Sequence, residues 1–280
     1  MNKSDGNEPD HHEDCGEQGR SSALFEADTA PDVSRGIRQL LDGEIAAVRI
    51  PGFLSSKEVG LIVRRIDRAT ERNQHGLVAG LESLGISYFE AATSDAALRR
   101  YFRQARATNS ASDEMLPVRR FIHDLVRVRG EMVGVAVDDG GRELAGGIVR
   151  ILGESHDIRP HCDSVGEEVP TGVWAPDIDS QLGVNVFIET PEAGGALHVW
   201  DAVDADEASK RRGRASSRNY GIDTIDLGKP TVTITPRPGD LIALNTEHIH
   251  SVEPGNRGRR STVSWFVGRD RTSGRLLIWA

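Results

Sequence analysis

Residues 237–268 read RPGDLIALNTEHIHSVEPGNRGRRSTVSWFVG. The stretch opens on a turn, because Pro presets φ and Gly supplies the conformations other residues avoid. DLIALNT follows as a short apolar strand, and HSVEP as a second run. RRSTVSWFVGR is a third, rich in β-branched and aromatic residues. Side chains along a strand alternate between its two faces. Arg260, Thr262, Ser264 and Phe266 therefore share one face, and Arg259 lies on the other.

Upstream, GGIVRILG, RPHCDS, LGVNVFIET, GGALHVWDA and TVTITP have the same texture. With the three runs above, eight short β-rich segments follow one another from about residue 146, some separated by PEAGG and PRPGD turns. Many short strands at this spacing predict a sandwich or barrel, including the two-sheet jelly roll. The stretch 203–230, with SKRRGRASSR, is too long and polar for a hairpin turn and reads as a surface loop or insertion.

The N-terminal half has another period. In EIAAVRIPGFLSSKEVGLIVRRIDRATERN a short apolar strand and a Pro-Gly turn precede a helix. Ser55 followed by Glu58 is a capping box, and Val59, Ile62, Val63, Ile66 and Ala69 repeat at helical spacing. DAALRRYFRQARAT and MLPVRRFIHDLVRV predict two more helices, with Tyr101, Phe102, Phe121, Ile122 and Leu125 as core and His123 on a helix surface. The expected fold class is α+β with a mostly β core. One domain covers 23–280, its helical part reaching about residue 145 and its β core spanning 146–270.

The chain has 280 residues, enough to bury a sizeable core without disulfides. Cys15 and Cys162 lie far apart, which suggests no disulfide framework and a cytoplasmic setting. There is no apolar run long enough for a membrane span and no apolar core of a secretory signal. Net charge is −9, but residues 1–30 carry −6 of it. Residues 1–22 read as a disordered acidic tail, in which His11 and His12 make only a two-ligand pair. The near-neutral remainder carries no nucleic-acid footprint.

IRPHCDSVG, residues 158–166, brings chemistry. On a strand, His161 and Asp163 face one way, an imidazole beside a carboxylate. Two histidines and one carboxylate hold one face of Fe(II) and leave the opposite positions open. A third ligand is sought among His198, His248 and His250.

With these motifs together, the sequence resembles the Fe(II)/2-oxoglutarate-dependent oxygenases. In that family a double-stranded β-helix carries H-x-D on one strand and a distal His on a late strand, with an Arg about ten residues after it. The resemblance implies that His161, Asp163 and His250 bind the metal and that Arg260 anchors the far carboxylate of 2-oxoglutarate. Thr262 adds a hydroxyl on the same face. His250 is preferred to His248 because HSVEP follows it and Arg260 lies ten residues on. Arg257 and Arg259 are rival anchors. Arginine suits the role because its planar fork grips a carboxylate in two places.

AAVRIPGFLSSKEV and PEAGGALHVWD extend the likeness over roughly 44–72 and 146–270. It is nearest to the N-succinyl amino-acid hydroxylases and the related carrier-independent halogenases. Those proteins have an Arg eleven residues before the first His, a place that Arg150 holds, and this implies a co-substrate contact. Halogenases of this kind replace the carboxylate ligand with Gly or Ala. Asp163 keeps it, which implies hydroxylation, or another oxidation such as desaturation, rather than halogenation, with Fe(II) as the metal, 2-oxoglutarate and O2 consumed, and succinate and CO2 released. The expected substrate is a small molecule, acidic if SKRRGRASSR steers it. A protein hydroxylase of the same superfamily, a cupin-like metal protein and a non-catalytic barrel are the alternative readings. Trp174, Trp200, Trp265 and Phe266 are read first as core and second as pocket walls.

Overall fold

The computed structural model describes residues 23–75, 78–111, 113–129, 132–163, 174, 176–200 and 227–280. His11, His12 and SKRRGRASSR lie outside the described residues. Before residue 136 the chain forms β1 (Leu24–Glu26), α1 (Ala30–Leu41), β2 (Ala47–Ile50), α2 (Ser56–Arg68), β3 (Asn73–Gln74), β4 (Leu81–Leu84), α3 (Tyr88–Ala91), α4 (Asp95–Ala111), α5 (Leu116–Arg129) and β5 (Val133–Val135). Then come β6 (Ile148–Leu152), β7 (Ile158–His161), β8 (Ile178–Glu189), β9 (Ala193–Gly194), β10 (Leu197–Trp200), β11 (Val232–Ile234), β12 (Leu241–Asn245), β13 (Ile249–Val252), β14 (Gly255–Asn256), β15 (Arg260–Asp270) and β16 (Leu276–Trp279).

After β5 the chain swaps repeatedly between two sheets. The larger has the order β1-β2-β12-β8-β15-β6-β4-β3, with β16 on β15 and β5 on β16. The smaller has the order β11-β10-β13-β7. Strands β6, β8, β12 and β15 therefore belong to one sheet, and β7, β10, β11 and β13 to the other. This is a double-stranded β-helix.

The large sheet is apolar on both faces, for different partners. Val184, Val186, Ala243, Val263 and Trp265 pack in one cluster with Val33, Ile37, Ile62, Ile66, Phe121 and Leu125 of the helices. Phe187, Ile242 and Leu244 instead meet Leu197, Val199, Val232 and Ile234 of the small sheet. Each fully buried Leu, Ile, Val or Phe contributes about 1.5–3 kcal/mol, so both interfaces hold the barrel shut. Helix α2 starts on the expected capping box. Ser55 Oγ accepts from the Glu58 N–H and Glu58 Oε2 accepts from the Ser55 N–H.

Two features depart from the sequence reading. The segment before residue 145 is not helical alone, because β1 to β5 all join the large sheet. The sheet also continues past residue 270. LLIW of β16 pairs antiparallel with β15 and parallel with β5. There the Ala280 carbonyl accepts from the Tyr88 N–H at 2.9 Å and from the Tyr101 hydroxyl at 3.0 Å.

Candidate metal centre and co-substrate pocket

The small sheet sets two imidazoles side by side. His250 of β13 lies directly opposite His161 of β7, with ring centroids 4.2 Å apart. Asp163 lies just past the end of β7, held where its N–H donates to the Thr246 carbonyl at 2.9 Å. Its Oδ1 is 3.6 Å from His161 Nε2 and its Oδ2 is 3.7 Å from His250 Nε2. One donor atom from each of the three residues falls within 4.8 Å of the others.

Both rings are oriented by backbone. His161 Nδ1 meets the Arg159 carbonyl at 2.7 Å, and His250 Nδ1 meets the His248 carbonyl at 3.0 Å. A carbonyl only accepts, so each Nδ1 carries the proton and each Nε2 keeps its lone pair. In both cases the acceptor lies two residues upstream, on β7 for Arg159 and just before β13 for His248. Burial, reinforced by the neighbouring His250, pushes the His161 imidazole down to about 4. The ring is therefore neutral at pH 7. Burial alone would raise Asp163, but His161, His250 and Arg150 outweigh it and hold its carboxyl well below the usual range.

The other candidate histidines lie elsewhere. His248 supplies its carbonyl rather than its ring to the cluster. His198 is engaged by Thr233 Oγ1 at 3.0 Å and Glu253 Oε1 at 2.7 Å. His123 is on a helix surface, its side chain two-thirds exposed (67%).

The three candidate arginines separate completely. Arg260 points between the sheets and is only 7% exposed. Its guanidinium lies 5.3 Å from the centroid of the Phe187 ring, and Nη2 donates to the Gly195 carbonyl. It makes no ion pair among the described residues, Nε is buried without an acceptor, and burial pulls its pKa down to about 10. Arg259 faces the other way, with Nε donating to Glu189 at 2.9 Å and Nη2 to Asp67 at 2.7 Å. Arg257 is an exposed turn residue with φ 57°, near Glu192.

One cavity between the sheets joins these groups. His161, Asp163, His250, Arg150, Arg260, Thr262 and Ser264 all line it, with apolar walls from Leu81, Leu152, Ile158, Leu197 and Val252. Phe266 and Trp265 also line it, whereas Trp265 packs chiefly on Phe121 and Trp200 lies in a separate cluster with Cys162 and Ile249. Trp174 packs on Tyr88 and Trp279. Asn185 was missed by sequence reasoning. Its signal was a lone polar side chain inside the apolar run LGVNVFIE, facing the same way as Gly183 and Phe187.

The donor chemistry fits a divalent iron site, with two neutral imidazole nitrogens and one carboxylate on one side. A buried guanidinium without a counter-ion is costly, and it fits a bound carboxylate.

The fold is that of the non-haem iron and 2-oxoglutarate oxygenases. The sequence family of carrier-protein-independent halogenases of the WelO5 type matches residues 24–280, and the chain belongs to that family. It is also similar to the L-γ-glutamyl-L-propargylglycine hydroxylase of Streptantibioticus cattleyicolor, with 27% identity covering 92% of this chain and 97% of that protein. Among solved structures it is similar to an N-substituted L-amino acid dioxygenase from Burkholderia ambifaria AMMD. The TM-score is 0.62 at 15% identity, covering 89% of this chain and 91% of that one. The same dioxygenase in complex with α-ketoglutarate superposes with a TM-score of 0.59. No described helix is long and apolar enough to cross a membrane.

Proposed function

We propose that this protein is an Fe(II)/2-oxoglutarate-dependent dioxygenase that hydroxylates an unactivated C–H bond of a small amino-acid derivative or natural-product intermediate. The observation that carries this is the single cavity joining the His161–Asp163–His250 cluster to the unpaired, buried Arg260. His161, Asp163 and His250 would hold the metal. Arg260 and Thr262 would hold the far carboxylate of 2-oxoglutarate, and Arg150 would contact the co-substrate from β6. When bound, iron and co-substrate supply the oxidising power, and 2-oxoglutarate and O2 are converted to succinate and CO2 as the substrate gains one oxygen.

The chain's own residues do the rest. The Arg159 and His248 carbonyls keep both Nε2 atoms aimed at one point. The apolar walls exclude water. Asp163 selects the branch of the family. With the carboxylate in place the metal position that a halide would take is filled, which supports hydroxylation over halogenation. Arg150 makes no ion pair among the described residues and lines the same cavity, which supports an acidic group on the ligands bound there. The hydroxylase and dioxygenase relatives named above point to amino-acid derivatives as the first class to screen. We take residues 23–280 as one oxygenase domain, consistent with β1, β2 and β16 all joining the sheet that carries Arg260. A cytoplasmic location accords with the cysteine usage.

The test is anaerobic. Fe(II)-loaded protein is mixed with 2-oxoglutarate and its visible spectrum recorded. The weak charge-transfer band of a chelated keto acid is expected, and it should be lost or altered in Asp163→Ala and His250→Ala. Its absence from properly iron-loaded parent protein would sink the oxygenase reading. Products from N-acylated and γ-glutamyl amino acids, analysed with chloride present, then separate hydroxylation from chlorination.

A further inference from the structure

The cavity contains a hydrogen-bond chain whose polarity conflicts with the ligand expected there. Thr262 Oγ1 lies 2.8 Å from Ser264 Oγ, and Ser264 Oγ donates to Asn185 Oδ1 at 2.7 Å. The register produces the chain. Across β15 and β8, Ser264 pairs with Asn185 and Thr262 with Phe187, the ring beneath Arg260. Asn185, Ser264, Thr262 and Arg260 all face the cavity.

The protons can be counted. Each hydroxyl has one to give, and an amide oxygen only accepts. Ser264 spends its proton on Asn185, so it must accept from Thr262. Thr262 then has only lone pairs left for the cavity. A carboxylate also offers only lone pairs, so this arrangement turns the wrong side of Thr262 towards a carboxylate held by Arg260.

A half-turn of the Asn185 amide resolves the conflict. It exchanges oxygen for nitrogen with almost no change in shape. Nδ2 makes no hydrogen bond among the described residues, so none is broken there by turning. Nδ2 would then donate to Ser264, Ser264 to Thr262, and Thr262 to the bound carboxylate. We infer that Asn185 is a positioning residue for the co-substrate, setting the direction of an Asn185–Ser264–Thr262 relay that ends in one hydrogen bond to the carboxylate on Arg260. The inference rests on the 2-oxoglutarate reading above. Asparagine suits the position because it can serve as either acceptor or donor, whereas aspartate only accepts.

The experiment measures 2-oxoglutarate binding by calorimetry to Mn(II)-loaded protein without oxygen, so no turnover is needed. The proteins are the parent, Asn185→Asp, Ser264→Ala and the double variant. Asn185→Asp adds a negative charge, and that penalty persists when Ser264 is absent. The relay's contribution does not. In Ser264→Ala nothing else claims the Thr262 proton, which stays free for the carboxylate, so binding should remain within a few fold of the parent. Asn185→Asp should cost at least about fivefold more in the parent than in the Ser264→Ala background. Melting temperature and Mn(II) affinity should stay near parental values. Equal losses from Asn185→Asp in the two backgrounds, or no loss from it in the parent, would overturn the relay. Should Asn185→Asp not fold, Thr262→Val supplies a neutral test. It removes the end of the relay and should weaken 2-oxoglutarate binding about tenfold, the usual scale for losing a hydrogen bond to a charged group, and unchanged binding would overturn the relay. A parent that binds Mn(II) but not 2-oxoglutarate would overturn the functional reading itself, and the relay with it.

Discussion

Arg259 and Arg260 are adjacent and have opposite environments. Arg259 is tied to Glu189 and Asp67 outside the barrel, and Arg260 is buried inside it without a counter-ion. Their substitutions should separate accordingly. Arg260→Ala is expected to weaken 2-oxoglutarate binding more than tenfold while leaving metal affinity within about twofold, because a charge-assisted, desolvated contact is lost and no metal ligand is touched. Calorimetric titration of each component checks this, and unchanged co-substrate affinity would move the anchor to Arg150. Arg259→Ala should leave both affinities alone. It should lower stability by about 1–3 kcal/mol, because Glu189 would keep only Ser261 Oγ, at 2.6 Å, among these contacts. Denaturant unfolding reads that loss.

At the scale of elements, the turn before β10 fixes the Arg260 side chain. Gly195 has φ 72°, and a Cβ there would meet Pro191 Cγ at 2.7 Å and Arg260 Nη2 at 3.3 Å. Only glycine both adopts this backbone readily and lets its carbonyl reach the guanidinium. Gly195→Ala is expected to destabilise the fold by about 1–3 kcal/mol and to weaken 2-oxoglutarate binding as well. Loss of stability with unchanged co-substrate affinity would show that the turn does not position Arg260. Helix α2 offers a contrast. Ser55→Ala removes one half of its capping box and should cost about 1 kcal/mol with no effect on either ligand, as thermal unfolding with and without ligand would reveal.

For the whole molecule, the buried histidine links folding to pH. Unfolded, His161 takes up a proton near pH 6.5, whereas in the fold it resists protonation down to about 4. Between those values the unfolded chain binds more protons, so stability of the metal-free protein falls as pH drops through that window. The loss amounts to about 3 kcal/mol at its limit. It is absent above pH 7. His161→Gln should reduce the pH dependence of the melting temperature between pH 6.5 and 4 without abolishing it, because burial also pulls the His75 imidazole down. A slope left unchanged in this variant would assign the effect to another group.

Much of this protein is legible along the chain. The eight β-runs after residue 146 appear as β6, β7, β8, β10, β11, β12, β13 and β15, because alternation and turn chemistry are local properties. The same alternation separated Arg260 and Thr262 from Arg259. His161 and Asp163 were visible as a spaced pair, and His250 as its distal companion. What stayed hidden depends on pairing between distant segments. The sequence does not say that LLIW closes the sheet beside β15, or that β1 to β5 join it. Nor does it say that Ser264 lies opposite Asn185, which couples a strand of the middle of the chain to one near its end. Sequence alone determined which side chains share a face, because that follows from a period of two residues. Only the tertiary structure decided what each face meets, because strand register and burial arise from contacts far apart in the chain.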